Sequence, residues 1–213
     1  MNRNRAILFT LSLVLSLVVF LAGCQSGSGS YEATFDNAAD WATGETDNLR
    51  GEVVNGVYDL LVYSDIGLYW VTPDQTFGDG TYSVEATPIE GPIDNGYGMV
   101  FQLDEDDVSF YLFEVSGDGF VWIGRCEGNC QEDMDMLVDT SWFPSDSVKT
   151  GLDVTNTLKV TVDGGDMVFF VNGEEVGRAF DDALGAGNIG LAVETIGQGG
   201  VRVQFDNFNY VPN

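Results

Sequence analysis

Histidine is missing from this chain, and positive charge is scarce: 8 Lys and Arg stand against 34 Asp and Glu. With no histidine, the Ser-His and Cys-His arrangements that activate a nucleophile have no base. Three cysteines are too few for a structural zinc site, which takes four Cys or His ligands. A net charge of −26 repels phosphate backbones and anionic headgroups, which excludes nucleic acid as a partner. Glycine-rich turns such as Gly78-Asp79-Gly80 lack the lysine and following helix of a phosphate loop, so no nucleotide site is expected. Helical periodicity is also lacking beyond the N-terminal segment, where Asp181–Leu184 is the one stretch expected to make a helical turn.

The N-terminus begins Asn2-Arg3-Asn4-Arg5, continues uncharged from Ala6 to Phe20, and reaches Leu21-Ala22-Gly23-Cys24. A basic start, an apolar stretch and a small-residue cleavage site make an export signal. Leu-Ala-Gly-Cys resembles the lipobox of bacterial lipoproteins. That resemblance implies a signal helix over residues 1–23 that is cut away, acylation (palmitate or a similar chain) of Cys24, and anchoring to a membrane facing away from the cytoplasm. One acyl chain holds weakly and several hold firmly. Gln25-Ser26-Gly27-Ser28-Gly29-Ser30 reads as a flexible tether, so residues 24–30 link the lipid to the folded domain. The competing reading is an uncleaved membrane helix, since Ala6–Gly23 just reaches the required length. Arg3 and Arg5 on the signal side, with no basic residue after Cys24, weigh against it.

Removing the signal leaves about 190 residues, the size of one domain, and residues 31–213 are read as a single unit. Apolar content of 44% with 12% aromatics is ample for a core. The remaining six basic residues face all 34 acidic ones, a net charge of −28. Solubility, salty surroundings or divalent-cation sites would each account for it. With Cys24 acylated, Cys126 and Cys130 are left as a close pair, expected to oxidise outside the cytoplasm. A loop that short contributes roughly 2 kcal/mol on chain-entropy grounds, and its expected role is to pin a hairpin tip.

Almost every remaining segment reads as strand. Leu158–Val162 alternates, Asp163-Gly164-Gly165-Asp166 turns, and Met167–Val171 runs back to Asn172-Gly173, the strongest hairpin signal in the chain because a type I′ turn needs two positive φ angles. Glu174–Ala179 is the next strand. Tyr31–Phe35, Glu52–Val54, Val57–Val62, Leu68–Val71, Tyr82–Thr87, Gly98–Leu103, Val108–Val115, Phe120–Arg125, Ile189–Glu194 and Val201–Tyr210 are further candidates. Short strands with regularly spaced turns predict an all-β antiparallel sandwich or barrel.

Phe35-Asp36 with Trp41, Gly96–Phe101, Phe110–Gly119, Leu158-Lys159-Val160, Phe170–Gly173, Gly187–Leu191 and Phe205-Asp206-Asn207-Phe208 together resemble exported bacterial domains of the concanavalin A-like lectin/glucanase superfamily. Laminin-G-like modules and 3-keto-disaccharide hydrolase-like domains are the nearest named relatives. The resemblance spans the chain beyond the signal and implies a jelly-roll sandwich of two antiparallel sheets, one face of which often binds glycans. Glucanases of this architecture carry Glu-x-Asp-x-Glu, alternate residues sharing one strand face, with the two reacting carboxyls ~5 Å apart in retaining enzymes. Asp133-Met134-Asp135-Met136-Leu137 is the nearest match and departs from it, so no catalytic residue is assigned.

Fold does not determine function. A carbohydrate-binding module, or one for a cell-envelope partner, is expected first. A glycoside hydrolase of keto-sugar or glucan type and a non-catalytic structural lipoprotein are the alternatives. Trp70, Tyr97, Trp122 and Trp142 are the candidates for stacking on a sugar ring, against the competing use of aromatics as core. The resemblance also suggests a structural calcium ion, with Asp206 and Asp36 as candidate ligands. Asp104-Glu105-Asp106-Asp107 is read as a solvated loop, since consecutive strand residues face opposite ways.

Overall fold

A computed structural model describes residues 29–37, 40–73, 75–128 and 134–213. The signal segment, Cys24, Cys130 and Asp133 lie outside the described residues. Sixteen strands are present among those described: β1 (Tyr31–Ala33), β2 (Gly44–Glu45), β3 (Leu49–Val54), β4 (Val57–Val62), β5 (Ile66–Val71), β6 (Gly80–Glu90), β7 (Gly96–Asp104), β8 (Ser109–Ser116), β9 (Phe120–Cys126), β10 (Asp135–Met136), β11 (Phe143–Pro144), β12 (Asn156–Asp163), β13 (Asp166–Val171), β14 (Glu174–Phe180), β15 (Asn188–Ile196) and β16 (Val201–Pro212). The order in the larger sheet is β14-β13-β12-β6-β16-β4-β3-β2, with β1 also on β16. In the smaller sheet it is β10-β9-β8-β7-β15-β5, with β11 also on β9. All pairings are antiparallel, as expected for a jelly-roll sandwich.

Alternation produces the larger sheet. In β6, Tyr82, Val84 and Ala86 face inward while Thr81, Ser83 and Glu85 are more exposed, and β12 repeats the pattern with Leu158, Val160 and Val162. That is the period of a strand with one wet face. The smaller sheet differs: all of β8 is buried, as is β7 up to its last residue. Tyr97, Met99, Phe101, Tyr111, Phe113 and Val115 belong to the core between the sheets. Their neighbours Val100, Phe110, Leu112 and Trp122 form a second apolar cluster on the opposite face.

The Asn172-Gly173 turn has φ of 53° and 88°, the two positive angles that its sequence predicts. Its asparagine also works in the interior. Asn172 Nδ2 donates to Ser147 O at 2.7 Å and to Asn156 Oδ1 at 2.7 Å. Asn156, fully buried, donates in turn to Tyr97 Oη at 3.0 Å and Lys149 O at 2.9 Å, and accepts from Lys149 N at 2.9 Å. Asn156 sits on β12 and Tyr97 on β7, so this polar cluster ties one sheet to the other.

The helical turn expected at 181–184 is not formed. Asp181 Oδ1 accepts from Ala183 N at 3.0 Å, and Leu184 N donates to Tyr111 Oη at 3.2 Å. Side chains thereby take the backbone groups that a helix would have used. Asp181 also holds Arg125 at 2.6 Å, and Arg125 reaches Asp135 at 2.8 Å, which fastens this segment to β9 and β10.

Replacing Asn156 with Ala should lower stability in urea unfolding by about 3 kcal/mol, because several buried partners lose their hydrogen bonds at once. A loss under about 1 kcal/mol, the worth of a single ordinary hydrogen bond, would show that the cluster does not hold the sheets together.

Candidate functional site

The sequence-predicted aromatics separate into three environments. Tyr97 is a correction. It is 2% exposed in the core between the sheets, bonded to Asn156, because its strand parity points it away from the outer face; it cannot stack on a ligand there. Trp122 is on the outer face but only 9% exposed. Its ring lies along β9 over Gly124, where a Cβ would stand 2.8 Å from Trp122 Cζ3. Trp70 and Trp142 are half-buried and line a cleft on that same outer face.

The cleft has a volume of about 1130 Å³. Leu68, Trp70, Phe110, Met134 and Trp142 form its apolar walls, with Trp70 and Phe110 tilted at 5.3 Å between ring centroids. Ile66, 75% exposed, and Ile196, 48% exposed, stand opposite each other in register at its rim. Trp142 comes from the irregular stretch before β11, and it also borders a smaller hollow with Asp94, Asp118 and Phe120. Aromatic walls with few polar groups are the usual make-up of a ligand pocket.

Two acidic side chains, Asp107 and Glu194, line the cleft, and a third carboxyl, that of Glu114, stands behind Glu194, 1% exposed. Glu194 and Glu114 belong to β15 and β8, which flank β7, and they converge because β7 carries glycine between them. Gly96 is opposite Glu194 and Gly98 is opposite Glu114. A Cβ on Gly96 would stand 2.6 Å from Glu114 Cδ, so only glycine leaves room for that carboxyl. Neither Glu114 oxygen accepts a hydrogen bond from an N–H or hydroxyl. The group in reach is the Glu194 carboxyl.

Burial, reinforced by the charge of Glu194, pushes the Glu114 carboxyl well above the usual carboxylate range, and burial pushes Glu194 up as well. Two carboxyls in contact away from water cannot both ionise easily, so the pair shares a proton. This pair was missed in the sequence. Its signal was a lone acid within an apolar strand, Leu112-Phe113-Glu114-Val115 and Leu191-Ala192-Val193-Glu194, two strands whose adjacency to β7 only the topology discloses.

The remaining candidates lie elsewhere. Asp36 accepts from Thr34 Oγ1 at 2.9 Å, and Asp206 accepts from Asn207 N at 2.7 Å. Partial burial, with the charges of Glu85 and Asp36, pushes the Asp206 carboxyl up, so Asp36 and Asp206 do come within electrostatic reach. Among the described residues, however, no three Asp, Glu, Cys or His side chains are grouped to hold a metal ion. Asp104 Oδ1 accepts from Asp106 N at 3.0 Å in an exposed turn. Of the glucanase-like stretch, Asp135 is exposed on a two-residue edge strand and bonded to Arg125. Cys126 is buried at the end of β9, while Cys130, its expected disulfide partner, lies outside the described residues. No described helix is long and apolar enough to cross a membrane.

The raised carboxyl pair makes stability fall with pH. The folded state keeps a proton that the unfolded chain gives up near the ordinary value of about 4.3. The contribution is therefore full in acid and is lost as pH rises through the raised value. Glu114→Gln should raise the melting temperature at neutral pH, by roughly 2–4 °C per kcal/mol relieved, and flatten its fall as pH rises above the ordinary carboxylate range. An unchanged pH profile would show that the pair does not share a proton.

No family model and no curated protein matches the sequence. Solved structures do match. The carbohydrate-binding module CBM66 from Bacillus subtilis is similar at 16% identity and a TM-score of 0.64, over 81% of this chain and 96% of the module. A Bacillus subtilis protein of unknown function with a galectin-like fold matches at 14% identity and 0.64, over 89% and 99%. A Bacillus licheniformis β-glucanase matches at 14% and 0.60, over 88% and 100%. Identities this low carry the fold and nothing further. The chain has the concanavalin A-like jelly-roll fold.

Proposed function

We propose that this is a carbohydrate-binding module, lipid-anchored on the outer side of a membrane, whose ligand occupies the cleft on the smaller sheet. The observation that carries this reading is the pairing of two accessible tryptophans, Trp70 and Trp142, with an acidic group in one apolar cleft. A sugar ring has an apolar face that packs on an indole and hydroxyls that need a few well-placed polar partners, and this cleft supplies both. Solved structures of the same fold that are titled as a carbohydrate-binding module and as a β-glucanase support the choice of ligand class.

Binding is favoured over hydrolysis by the carboxyls themselves. A retaining glycosidase holds two of them ~5 Å apart, both against the substrate. Here Glu114 is buried behind Glu194 and in contact with it. The outer face of the central strand β8 presents Phe110, Leu112 and Glu114 in place of three alternating acids.

A glycan array on the purified full-length protein should give binding that Trp70→Ala and Trp142→Ala each weaken about tenfold, the loss of an aromatic contact worth about 1.4 kcal/mol. Absence of binding to every glycan would overturn the reading and leave a structural or protein-binding role. The anchor rests on the lipobox-like sequence. Labelled palmitate should be incorporated into the protein and not into Cys24→Ser, and no incorporation into the unaltered protein would remove the lipid. We also propose the Cys126–Cys130 disulfide, for which an unreduced peptide carrying both residues should be lighter by two hydrogens than its reduced form.

A further inference from the structure

The cleft has negative charge and no answering positive charge. Glu194 and Asp107 both line it, and no Lys or Arg does among the described residues. All six described cations are engaged elsewhere. Arg50 pairs with Glu52, Arg178 with Glu175, and Arg202 with Asp59; Arg125 holds Asp181 and Asp135. Lys159 lies over the Phe170 ring at 4.1 Å, and Lys149 Nζ donates to Thr155 O at 3.4 Å. Behind Glu194 stands Glu114, 1% exposed, with neither oxygen receiving a hydrogen bond from an N–H or hydroxyl.

A buried carboxyl whose one partner is another carboxyl is costly, and protein N–H and hydroxyl groups normally satisfy such a group. Here the fold does the reverse. Gly96 and Gly98 clear the space that brings Glu114 and Glu194 together. A ligand group that brings its own N–H donors and a positive charge would satisfy the pair. An ammonium has three donors and one charge, and tryptophan walls attract cations in addition. A neutral hydroxyl offers a single donor and no charge, and a carboxylated sugar would be repelled.

Resting on the carbohydrate reading above, we propose that the cleft selects amino sugars, a protonated amine sitting on Glu194 with Glu114 behind it while the ring packs on Trp70 or Trp142. The core of the assignment is Trp70, Asp107, Phe110, Glu114, Trp142 and Glu194. The protein's net charge of −26 favours the same ligand at longer range by concentrating cations near its surface.

Calorimetry on the full-length protein at about pH 5.5, acidic enough to keep most of the sugar amines protonated although neighbouring oxygens lower their basicity below that of a lysine, should compare β-1,4-linked glucosamine oligomers with the N-acetylated oligomers of equal length. The free-amine oligomer should bind about ten- to hundredfold more tightly, the range of one charge-assisted hydrogen bond. Glu194→Gln should bring it down to the affinity of the acetylated oligomer, and Glu114→Gln should reduce the preference in part. The pair of variants keeps the test decisive if one of them folds poorly. Equal binding of the two oligomers, or a preference that survives Glu194→Gln, would overturn the amino-sugar assignment while leaving carbohydrate binding intact. Binding of a lysine-rich peptide with no oligosaccharide bound at all would overturn both.

Discussion

Phe113 of the smaller sheet meets Phe169 of the larger one edge to face at 5.2 Å, and Phe101 lies 5.8 Å from Tyr82 across the same gap. These rings join the two sheets, and the other properties of the molecule depend on how closely they press. Aromatic pairs at such distances add to the burial of large apolar areas. A layer this apolar leaves little room for polar groups that are not fully bonded. Asn156 enters it with partners on both its amide nitrogen and its oxygen. At one end of the sandwich, Phe35, Trp41, Phe77 and Phe208 pack together and join the opening segment to the closing strand.

The smaller sheet is apolar on both faces, which is unusual for an antiparallel sheet at a surface. Among the described residues its outer face, to which Leu68 and Trp70 of β5 belong, is covered only in part, by Met134, Met136 and Trp142 from the segment after β9. The uncovered remainder is the cleft. Into this surface the fold inserts two carboxyls, and the low polarity that raises their affinity for protons also strengthens any charge they meet. Stability alone would place a hydrophobic pair there. On the proposed amino-sugar reading, the pair of glutamates there serves a ligand.

The acidity of the chain falls into two classes. Most carboxylates are exposed, and some accept hydrogen bonds within turns, as Asp104 does. Glu114 and Glu194 are distinguished by burial and by the lack of an opposing cation among the described residues. Asp36 and Asp206 come near each other where the first and last segments meet, without assembling a third ligand among the described residues.

Strand identity was legible in the sequence because a period of two and a turn residue are local properties: Val57–Val62 and Met167–Val171 come from alternation, and Asn172-Gly173 from the need for positive φ. The helical turn at 181–184 was misread because its backbone groups are taken by Tyr111, 70 positions away. Composition alone sets aside Ser-His and Cys-His activation of a nucleophile within this sequence, since a missing residue type cannot be restored by folding. The face on which each aromatic falls was decided only by the tertiary structure. Tyr97 and Trp122 look alike in sequence, yet strand parity sends one into the core and the other outward. The carboxyl pair is the extreme case. Glu114 and Glu194 are far apart along the chain, and only the order β8-β7-β15, with glycines on the middle strand, brings the two carboxyls together.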